Sequence, residues 1–301
     1  MTRENAINNR YEFTILFDVK NGNPNGDPDA DGRPRTDIET ELGIITDTCI
    51  KRKIRNYVQL RHAGEEGYNI YVNRDETLNA KDFRAIKALD AAKPAKEDEE
   101  EFVIGFMCDN YFDTRTFGSV MTGFTKDAKN PDDTEKRKIG NASQLNGPVQ
   151  IEFAESFDKA TPVCVTVTRM AATNEERASN STEIGNKWII PYALYRVDGH
   201  ISANQAKKTG FSEKDLEVLW DAILNMFEED HAAARGKMVV RDLIIFKHES
   251  AFGNAPSQKV LDTVKVRRKD NVAVPRNFDD YEITLPTNDD MPNGVTVEVR
   301  S

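Results

Sequence analysis

This chain of 301 residues has few cysteines, and it lacks long apolar runs and an excess of positive charge. Cys49, Cys108 and Cys164 are odd in number and never form a C-x-x-C pair, which indicates reduced thiols rather than a disulfide or zinc framework. No stretch approaches the roughly 20 apolar residues that a membrane helix needs, and no apolar run marks a secretory signal after Met1. These absences predict a cytoplasmic protein without a membrane partner.

Motifs that supply catalysis or hold a cofactor are also absent. The chain contains no G-x-x-x-x-G-K-[ST], no G-x-S-x-G and no H-E-x-x-H. The four histidines lack the spacing of metal ligands: His62, His200, His231 and His248. We therefore predict no catalytic residue, no bound metal and no cofactor.

The charge balance limits how the protein can meet nucleic acid. The formal net charge of −10 argues against a protein that coats nucleic acid with its whole surface, but a local basic groove stays compatible with it. The acid is concentrated in Glu97–Glu101 and in a C-terminal cluster, Asp279, Asp280, Asp289 and Asp290. We expect both groups to lie in solvated loops.

Apolar periodicity predicts a mixture of strands and helices. Tyr11–Val19 alternates as a strand, and Ile50, Ile54 and Val58 recur at helical spacing. Ser212-Glu-Lys-Asp215 is a capping box, which predicts the start of a further helix. Another helix is predicted around Phe83–Leu89, and further strands at Tyr68–Val72, Phe102–Met107, Val149–Phe153, Val163–Met170, Lys187–Arg196, Met238–Phe246, Tyr281–Leu285 and Val295–Val299.

This order of elements predicts an α+β fold with an antiparallel sheet of the ferredoxin or RRM type, closed by the last two strands, in a single domain over 1–301. The less regular region 64–101 is predicted to be an insertion. Ala171–Asn186 is polar and too long for a tight turn, which predicts a protruding hairpin within 158–197. The aromatic RRM consensus is missing, so base stacking on the sheet face is not predicted.

The segment Asn21–Asp37 is so rich in Gly, Pro, Asn and Asp that we expect irregular structure there. Asp27, Asp29 and Asp31 match an EF-hand loop, but Ile38 stands where the bidentate glutamate is needed, which argues against calcium. The same carboxylates permit a second interpretation, in which clustered aspartates hold two metal ions astride a phosphodiester.

A third interpretation follows the basic residues of this part of the chain. Arg33 and Arg35 lie on a loop stiffened by proline, shortly before the predicted helix that carries Lys51–Arg55. Guanidinium groups held at fixed positions suit the recognition of phosphate. Several such contacts without aromatic partners predict binding to a nucleic-acid backbone that is indifferent to sequence.

Several motifs, taken together, resemble a known family. Asn23-Pro-Asn-Gly-Asp-Pro28 with Arg33-Pro-Arg-Thr-Asp37 is similar to the signature of the backbone subunits, of the Cas-seven type, of type I CRISPR Cascade complexes. The type I-C branch (Csd-type, Dvulg) is the nearest in pattern. Further matches follow in the same order from roughly Tyr11 to Gly253: Lys51–Arg55, Asp113–Gly118, Gly147–Gln150, Thr168–Met170, Pro191–Tyr195 and Ala234–Gly236.

The resemblance implies a modified RRM palm with a finger-like insertion at 64–101 and a thumb-like hairpin at 158–197. It further implies that copies stack head to tail along one guide RNA (crRNA). Each thumb would displace a nucleotide, and the remaining bases would be presented to a target DNA strand in antiviral defence. The implied protein partners are further copies of itself, a subunit that holds the 5′ handle and processes the guide, a large PAM-recognising subunit, a small subunit and a recruited helicase-nuclease.

The resemblance also implies which side chains face RNA. These are Arg33, Arg35, Lys51, Arg52, Lys53, Arg55, Arg115, Phe117 and Gly118, with Arg169 and Met170 on the thumb. Type I backbones are not known as nucleases, which favours a protein that is not an enzyme. Related type III backbones cleave RNA with a loop aspartate, so a metal-dependent nuclease that uses the Asp-rich loop 27–37 stays open as the alternative.

Overall fold

The computed structural model describes residues 5–124, 139, 142–169 and 183–301. The helices are α1 (Asp47–Arg61), α2 (Leu78–Ala92), α3 (Glu99–Asn110), α4 (Phe112–Phe117), α5 (Ala203–Thr209), α6 (Glu213–Asn225) and α7 (Ser257–Leu261). The strands are β1 (Tyr11–Gly22), β2 (Gly26–Asp27), β3 (Arg33–Pro34), β4 (Leu42–Ile45), β5 (Gly118–Val120), β6 (Gln144–Asn146), β7 (Val149–Ile151), β8 (Ala154–Lys159), β9 (Val163–Arg169), β10 (Glu183–Ile201), β11 (Lys237–His248), β12 (Lys265–Arg268), β13 (Tyr281–Thr284) and β14 (Val295–Arg300).

One large antiparallel sheet organises the described residues. Its strands run in the order β14-β11-β1-β10-β8-β4, and β7 and β9 pair with β10 as well. The central strand β1 pairs along its length with β10 on one side and β11 on the other, where Phe13 faces Gly199 and Ile245. The predicted α+β fold with an antiparallel sheet is therefore confirmed.

Both faces of the sheet are covered, which explains why the first nine residues of β1 are all buried. Phe13 and Phe17 point to a core that α1 and α6 complete through Ile54 and Ile223. The alternate residue Leu16 packs on the other face, in a cluster formed by the C-terminal part of the chain: Ile244, Phe246, Val260, Leu261, Val264 and Val295. The sheet is thus the middle of three layers.

The helix predicted from the spacing of Ile50, Ile54 and Val58 is α1, and the predicted start of α6 is confirmed by its cap. Thr46 precedes α1 and its side chain accepts a hydrogen bond from the backbone N–H of Cys49. Ser212 precedes α6, and its side chain and that of Asp215 form the reciprocal capping box that the sequence indicates. The Thr46 cap fixes where α1 begins after β4, and so it fixes where the basic residues of α1 lie.

Three secondary-structure predictions are wrong. Phe102–Met107 was predicted as a strand but lies inside the helix α3. The acidic residues Glu99–Glu101 were predicted to lie in a solvated loop but form the first turn of the same helix. Carboxylates stabilise a helix N-terminus, so the acidic run begins the helix. Tyr68–Val72 forms no strand, although Asn69 makes an isolated bridge to Tyr111.

The C-terminal prediction is correct for one strand and wrong for the other. β14 forms the predicted edge of the main sheet beside β11. In contrast, β13 does not close that sheet, because it pairs with β12 in a separate two-stranded sheet. Tyr281 of β13 packs with Tyr192 and Leu194 of β10. The segment therefore covers the second face of the sheet instead of extending it.

The region from α2 to Phe124 has a hydrophobic cluster of its own, formed mainly by α2, α3 and the residues that follow α4. The helix predicted around Phe83–Leu89 is α2. The interpretation of residues 64–101 as a finger stays a prediction.

A second extension is the hairpin of β9 and β10. The C-terminal half of β10 pairs with β1, whereas Glu183–Ile189 pairs with β9 alone, with Trp188 opposite Cys164 and Ile189 opposite Val163. All described side chains of β9 are exposed. Most of the predicted polar segment Ala171–Asn186 lies outside the described residues. Within the described residues, no helix is both long enough and apolar enough to cross a bilayer.

Candidate nucleic-acid interface

Asparagine side chains hold the loop 21–37 in a defined shape. Asn23 donates a side-chain hydrogen bond to the carbonyl of Gly32 at 2.6 Å, and Asn25 accepts one from the backbone N–H of Thr46 at 3.0 Å. The backbone N–H of Asn23 also bonds the carbonyl of Ala234 at 2.8 Å. The loop is therefore attached both to the start of α1 and to the turn before β11, and it contains the short antiparallel pair of β2 and β3.

The two loop arginines lie in different surroundings. Arg33 is exposed, and its guanidinium carbon lies 5.5 Å from the centroid of the Trp188 ring on β10. Arg35 is half-buried, with its guanidinium 3.3 Å from the carboxylate of Asp27. The loop thus presents one arginine to solvent and keeps the other in an ion pair within itself.

Two basic residues near the surface of α1, Lys51 and Arg52, are both engaged within the protein. Lys51 pairs with Asp47 one turn earlier at 2.9 Å. Arg52 donates to the carbonyl of Val72 at 2.7 Å. Burial and the neighbouring charges of Arg55 and Arg74 lower the pKa of Arg52 below its ordinary value.

Lys53 points away from that surface and pairs with Asp230, which also pairs with Arg235. Its ammonium lies 5.7 Å from the centroid of the Phe227 ring. Burial is the largest influence and lowers the pKa of Lys53 to about 8. This ammonium joins α1 to the turn before β11.

Arg55 is buried against the carboxylate of Asp113, with 2.7 Å between Nε and Oδ2. The other contacts of Asp113 are to the backbone N–H groups of Tyr71 at 2.6 Å and Val72 at 3.0 Å. One buried carboxylate therefore joins α1, α4 and the chain segment at 71–72. Removal of one partner from such a pair leaves an uncompensated charge, which is strongly destabilising.

Arg115 makes a second buried ion pair, with both oxygens of Asp215 at 2.7 and 3.1 Å. Its Nη1 also donates to the carbonyls of Gly67 and Cys108, at 3.2 and 2.5 Å. Burial opposes its charge, but the Asp215 carboxylate outweighs this and raises the pKa of Arg115. Because Asp215 also belongs to the capping box, this arginine joins α4 to the start of α6.

Phe117 and Gly118 occupy the junction behind these pairs. The Phe117 ring centroid lies 5.7 Å from the Lys51 ammonium and 5.3 Å from the Arg55 guanidinium. Gly118 has a φ of 77°, and a Cβ there would meet the carbonyl oxygen of Leu145 at 2.2 Å. We use the term "junction" for Lys53, Arg55, Arg115, Phe117 and Gly118 with their carboxylate partners.

The remaining predicted residues are on the hairpin. Arg169 is the last residue of β9, and its backbone pairs with Glu183. Met170 lies outside the described residues. The assignment of either residue to RNA contact therefore stays a prediction.

Two aspartates of the loop, Asp27 and Asp37, accept hydrogen bonds within local turns. Asp27 accepts a hydrogen bond from the backbone N–H of Asp29 at 3.1 Å, besides its contact with Arg35. Asp37 accepts from the backbone N–H groups of Thr40 and Glu39 at 2.7 and 3.0 Å. These bonds, above all those from Thr40, lower the pKa of Asp37. No group of three or more His, Cys, Asp or Glu that could hold a metal ion occurs among the residues that the structure describes.

Sequence reasoning missed Trp188. The chain has two tryptophans, and Trp220 belongs to the apolar stripe of α6, where it is 1% exposed. Trp188 lies near the start of the predicted strand Lys187–Arg196, directly after the polar segment Ala171–Asn186. A large aromatic residue at the border between a predicted strand and a protruding polar segment is the signal that could have identified it.

Comparisons with known proteins place these features in a family. The model of the family described as CRISPR-associated protein Cas7 matches residues 9–286. A curated relative, the CRISPR-associated protein Cas7 of Haloferax volcanii, is 30% identical over 234 residues, which cover 72% of this chain. The same alignment covers 65% of the relative, so the match spans a little under two thirds of its length.

Solved structures of low sequence identity are also similar. A chain of a "CRISPR RNA-guided surveillance complex, pre-nicking" is 11% identical with a TM-score of 0.47, over 84% of this chain and 81% of that one. A chain of a "CRISPR RNA-guided surveillance complex" has 11% identity and a TM-score of 0.46, over 84% and 73% of the two chains. A chain of the type III-B Cmr-beta complex bound to cognate target RNA has 11% identity and a TM-score of 0.42, over 79% and 61%.

Proposed function

Since the chain belongs to the Cas7 family of CRISPR-associated proteins, we propose that it is a non-catalytic backbone subunit that binds the guide RNA of a type I-C Cascade surveillance complex. The family match over residues 9–286 carries this proposal. The backbone binds crRNA through its phosphates, so it accepts any guide sequence. It presents the guide to a target DNA strand beside the handle-binding, PAM-recognising and small subunits, and a helicase-nuclease joins later.

The geometry divides the basic residues into a partly exposed group and a buried, ion-paired group. Arg33, Arg35, Lys51 and Arg52 keep part of their surface available, and we assign them to the RNA-facing side of the palm together with the hairpin residues Arg169 and Met170. Lys53, Arg55 and Arg115 act through the junction: their ion pairs fix the positions of α1, α4 and α6. Phe117 and Gly118 complete the same packing.

The hairpin supports head-to-tail assembly. Val163, Val165 and Val167 lie on the same face of β9, since strand residues two apart share a face, and they are 42, 39 and 45% exposed. A two-stranded arm is marginal on its own, so a neighbouring surface should cover its apolar face. A contact between unlike surfaces of successive copies produces an open series, and the guide RNA then sets its length.

The proposal is tested by what accompanies the protein. The tagged chain is purified from a host that carries its locus, the bound RNA is sequenced, and the particle is weighed by native mass spectrometry. We expect one population of repeat-and-spacer guides and a mass that rises in whole-subunit steps as the spacer is lengthened. A Val165→Glu variant should still bind RNA, but the mass of its particles should no longer rise in whole-subunit steps as the spacer is lengthened. RNA recovered in proportion to cellular abundance, or a ring of fixed size, would contradict the proposal.

A further inference from the structure

Trp188 is a partly exposed aromatic side chain that lies beside the loop 21–37. Trp220 fills the core, where its ring meets Phe13 edge-on at 5.2 Å. Trp188 lies instead at the stem of the β9–β10 hairpin, half-buried, beyond the part of β10 that pairs with β1. Large aromatic rings that stay accessible on a surface are characteristic of binding sites.

The guanidinium of Arg33, an exposed side chain, lies over one face of this ring, with its carbon 5.5 Å from the ring centroid. The backbone beneath Arg33 is fixed, because Arg33 pairs with Asp27 in the short β2–β3 pair and the next residue, Pro34, is buried. The indole and the guanidinium are both planar groups on which unpaired nucleobases stack. The loop and the hairpin together therefore present two stacking surfaces at one place.

The charge of the loop favours a contact of this kind over a purely electrostatic one. Between Asn21 and Asp37 the chain carries four aspartates and two arginines. Arg35 is already paired with Asp27, so part of the positive charge of the loop is neutralised within the protein. Stacking on an aromatic ring needs no positive field and is available to every base, because every base has a π-face.

We propose that Arg33 and Trp188 form a stacking site for one unpaired nucleobase of the bound RNA. This inference rests on the proposed function and adds to it a contact with a base, where the sequence predicts contacts with phosphates alone. The base lies against the indole, with the Arg33 guanidinium beside it, at the point where the hairpin leaves the sheet. The site is tolerant of sequence, as a backbone that accepts any guide requires.

The test uses the fluorescence of Trp188, because the chain has one other tryptophan. Trp220→Phe leaves Trp188 as the sole tryptophan, and its emission is followed while oligouridine or an abasic ribose-phosphate oligomer of equal length is added. Binding is measured separately by the anisotropy of a label on the 5′ end of each oligomer. If Trp220→Phe does not fold, the unsubstituted protein is compared with Trp188→Phe, in which the buried Trp220 should not respond.

We expect oligouridine to quench Trp188 at concentrations where anisotropy shows binding, and the abasic oligomer to leave its emission unchanged. Trp188→Ala should weaken oligouridine binding about 5- to 100-fold and abasic binding far less, whereas Trp188→Phe should retain most of the affinity. Binding without quenching, or equal quenching by both oligomers, would overturn the stacking site and leave the proposed function intact. No binding of either oligomer would overturn both.

Discussion

The loop 21–37 and the junction each contain two arginines, and both lie within the part of the chain that matches the Cas7 family model. The arginines of the two regions nevertheless lie in different surroundings. Arg33 is exposed and its guanidinium lies over the Trp188 ring, whereas Arg55 and Arg115 are buried against Asp113 and Asp215. A buried charge costs several kcal/mol unless a partner compensates it. Under the proposed function, we therefore expect a motif arginine to contact RNA only where no buried carboxylate holds it.

Among the substitutions considered, one in the junction should reduce the unfolding free energy most. Arg115→Ala leaves Asp215 charged and buried without its partner, so we expect a loss of about 3–5 kcal/mol of unfolding free energy. Urea unfolding followed by circular dichroism measures this loss. The matched control is Arg267→Ala, which removes an exposed ion pair with Glu282 and should leave the urea midpoint of unfolding unchanged. Equal urea midpoints for the two variants would show that the junction ion pair does not stabilise the fold.

One glycine in each region allows the tightness of backbone packing to be compared between the junction and the loop. Gly118 in the junction and Gly32 in the loop both have positive φ, at 77° and 70°. A Cβ on Gly118 meets a backbone oxygen at 2.2 Å, whereas a Cβ on Gly32 meets nothing within 4 Å. We expect Gly118→Ala to cost about 2–4 kcal/mol and Gly32→Ala about 1–2 kcal/mol. Thermal and urea unfolding of both variants would sharpen the contrast, and a larger loss at Gly32 would refute it.

A buried and a more exposed carboxylate should also differ in how their contributions to stability depend on pH. Buried Asp82 accepts hydrogen bonds from the Tyr71 hydroxyl and the Gly123 N–H, and burial raises its pKa from 3.8 to about 6. The folded state then binds the proton more tightly than the unfolded state. The contribution of Asp82 to stability is therefore complete below about pH 4 and decreases by about 2–3 kcal/mol as the pH rises through 6.

The check is the unfolding free energy of Asp82→Asn and of the unsubstituted protein between pH 4 and pH 7. We expect the unsubstituted protein to lose stability relative to the variant over this range. Exposed Asp37 should behave in the opposite sense: its lowered pKa stabilises the fold above about pH 4, and this contribution is lost as the pH falls. A difference between Asp82→Asn and the unsubstituted protein that does not change with pH would contradict the assignment.

Much of the frame could be predicted from the sequence, since period and capping are local signals. β1, α1 and α6 followed from alternation, from helical spacing and from the Ser212 capping box. α3 was missed because its apolar residues also fit a strand and its acidic first turn resembles a loop. β13 was placed in the wrong sheet, because a strand pattern does not say which strand it pairs with.

The sequence predicts a set of candidate RNA-facing residues, but it does not predict how the fold arranges them. Arg55 finds its carboxylate 58 residues away and Arg115 finds its own 100 residues away, so no local pattern announces either pair. The contact of Arg33 with Trp188 depends likewise on the fold, which brings the loop beside the hairpin. A sequence motif therefore identified the basic residues without telling buried ones from exposed ones.

The most direct test measures two quantities on two variants: unfolding free energy, and affinity for single-stranded RNA at a temperature where both variants are folded. We expect Arg33→Ala to weaken RNA binding about 10-fold while unfolding changes by less than about 1 kcal/mol. Arg55→Ala should lose about 3 kcal/mol of unfolding free energy and keep its affinity. A stable Arg55→Ala that no longer binds RNA, with an Arg33→Ala that binds normally, would contradict the account.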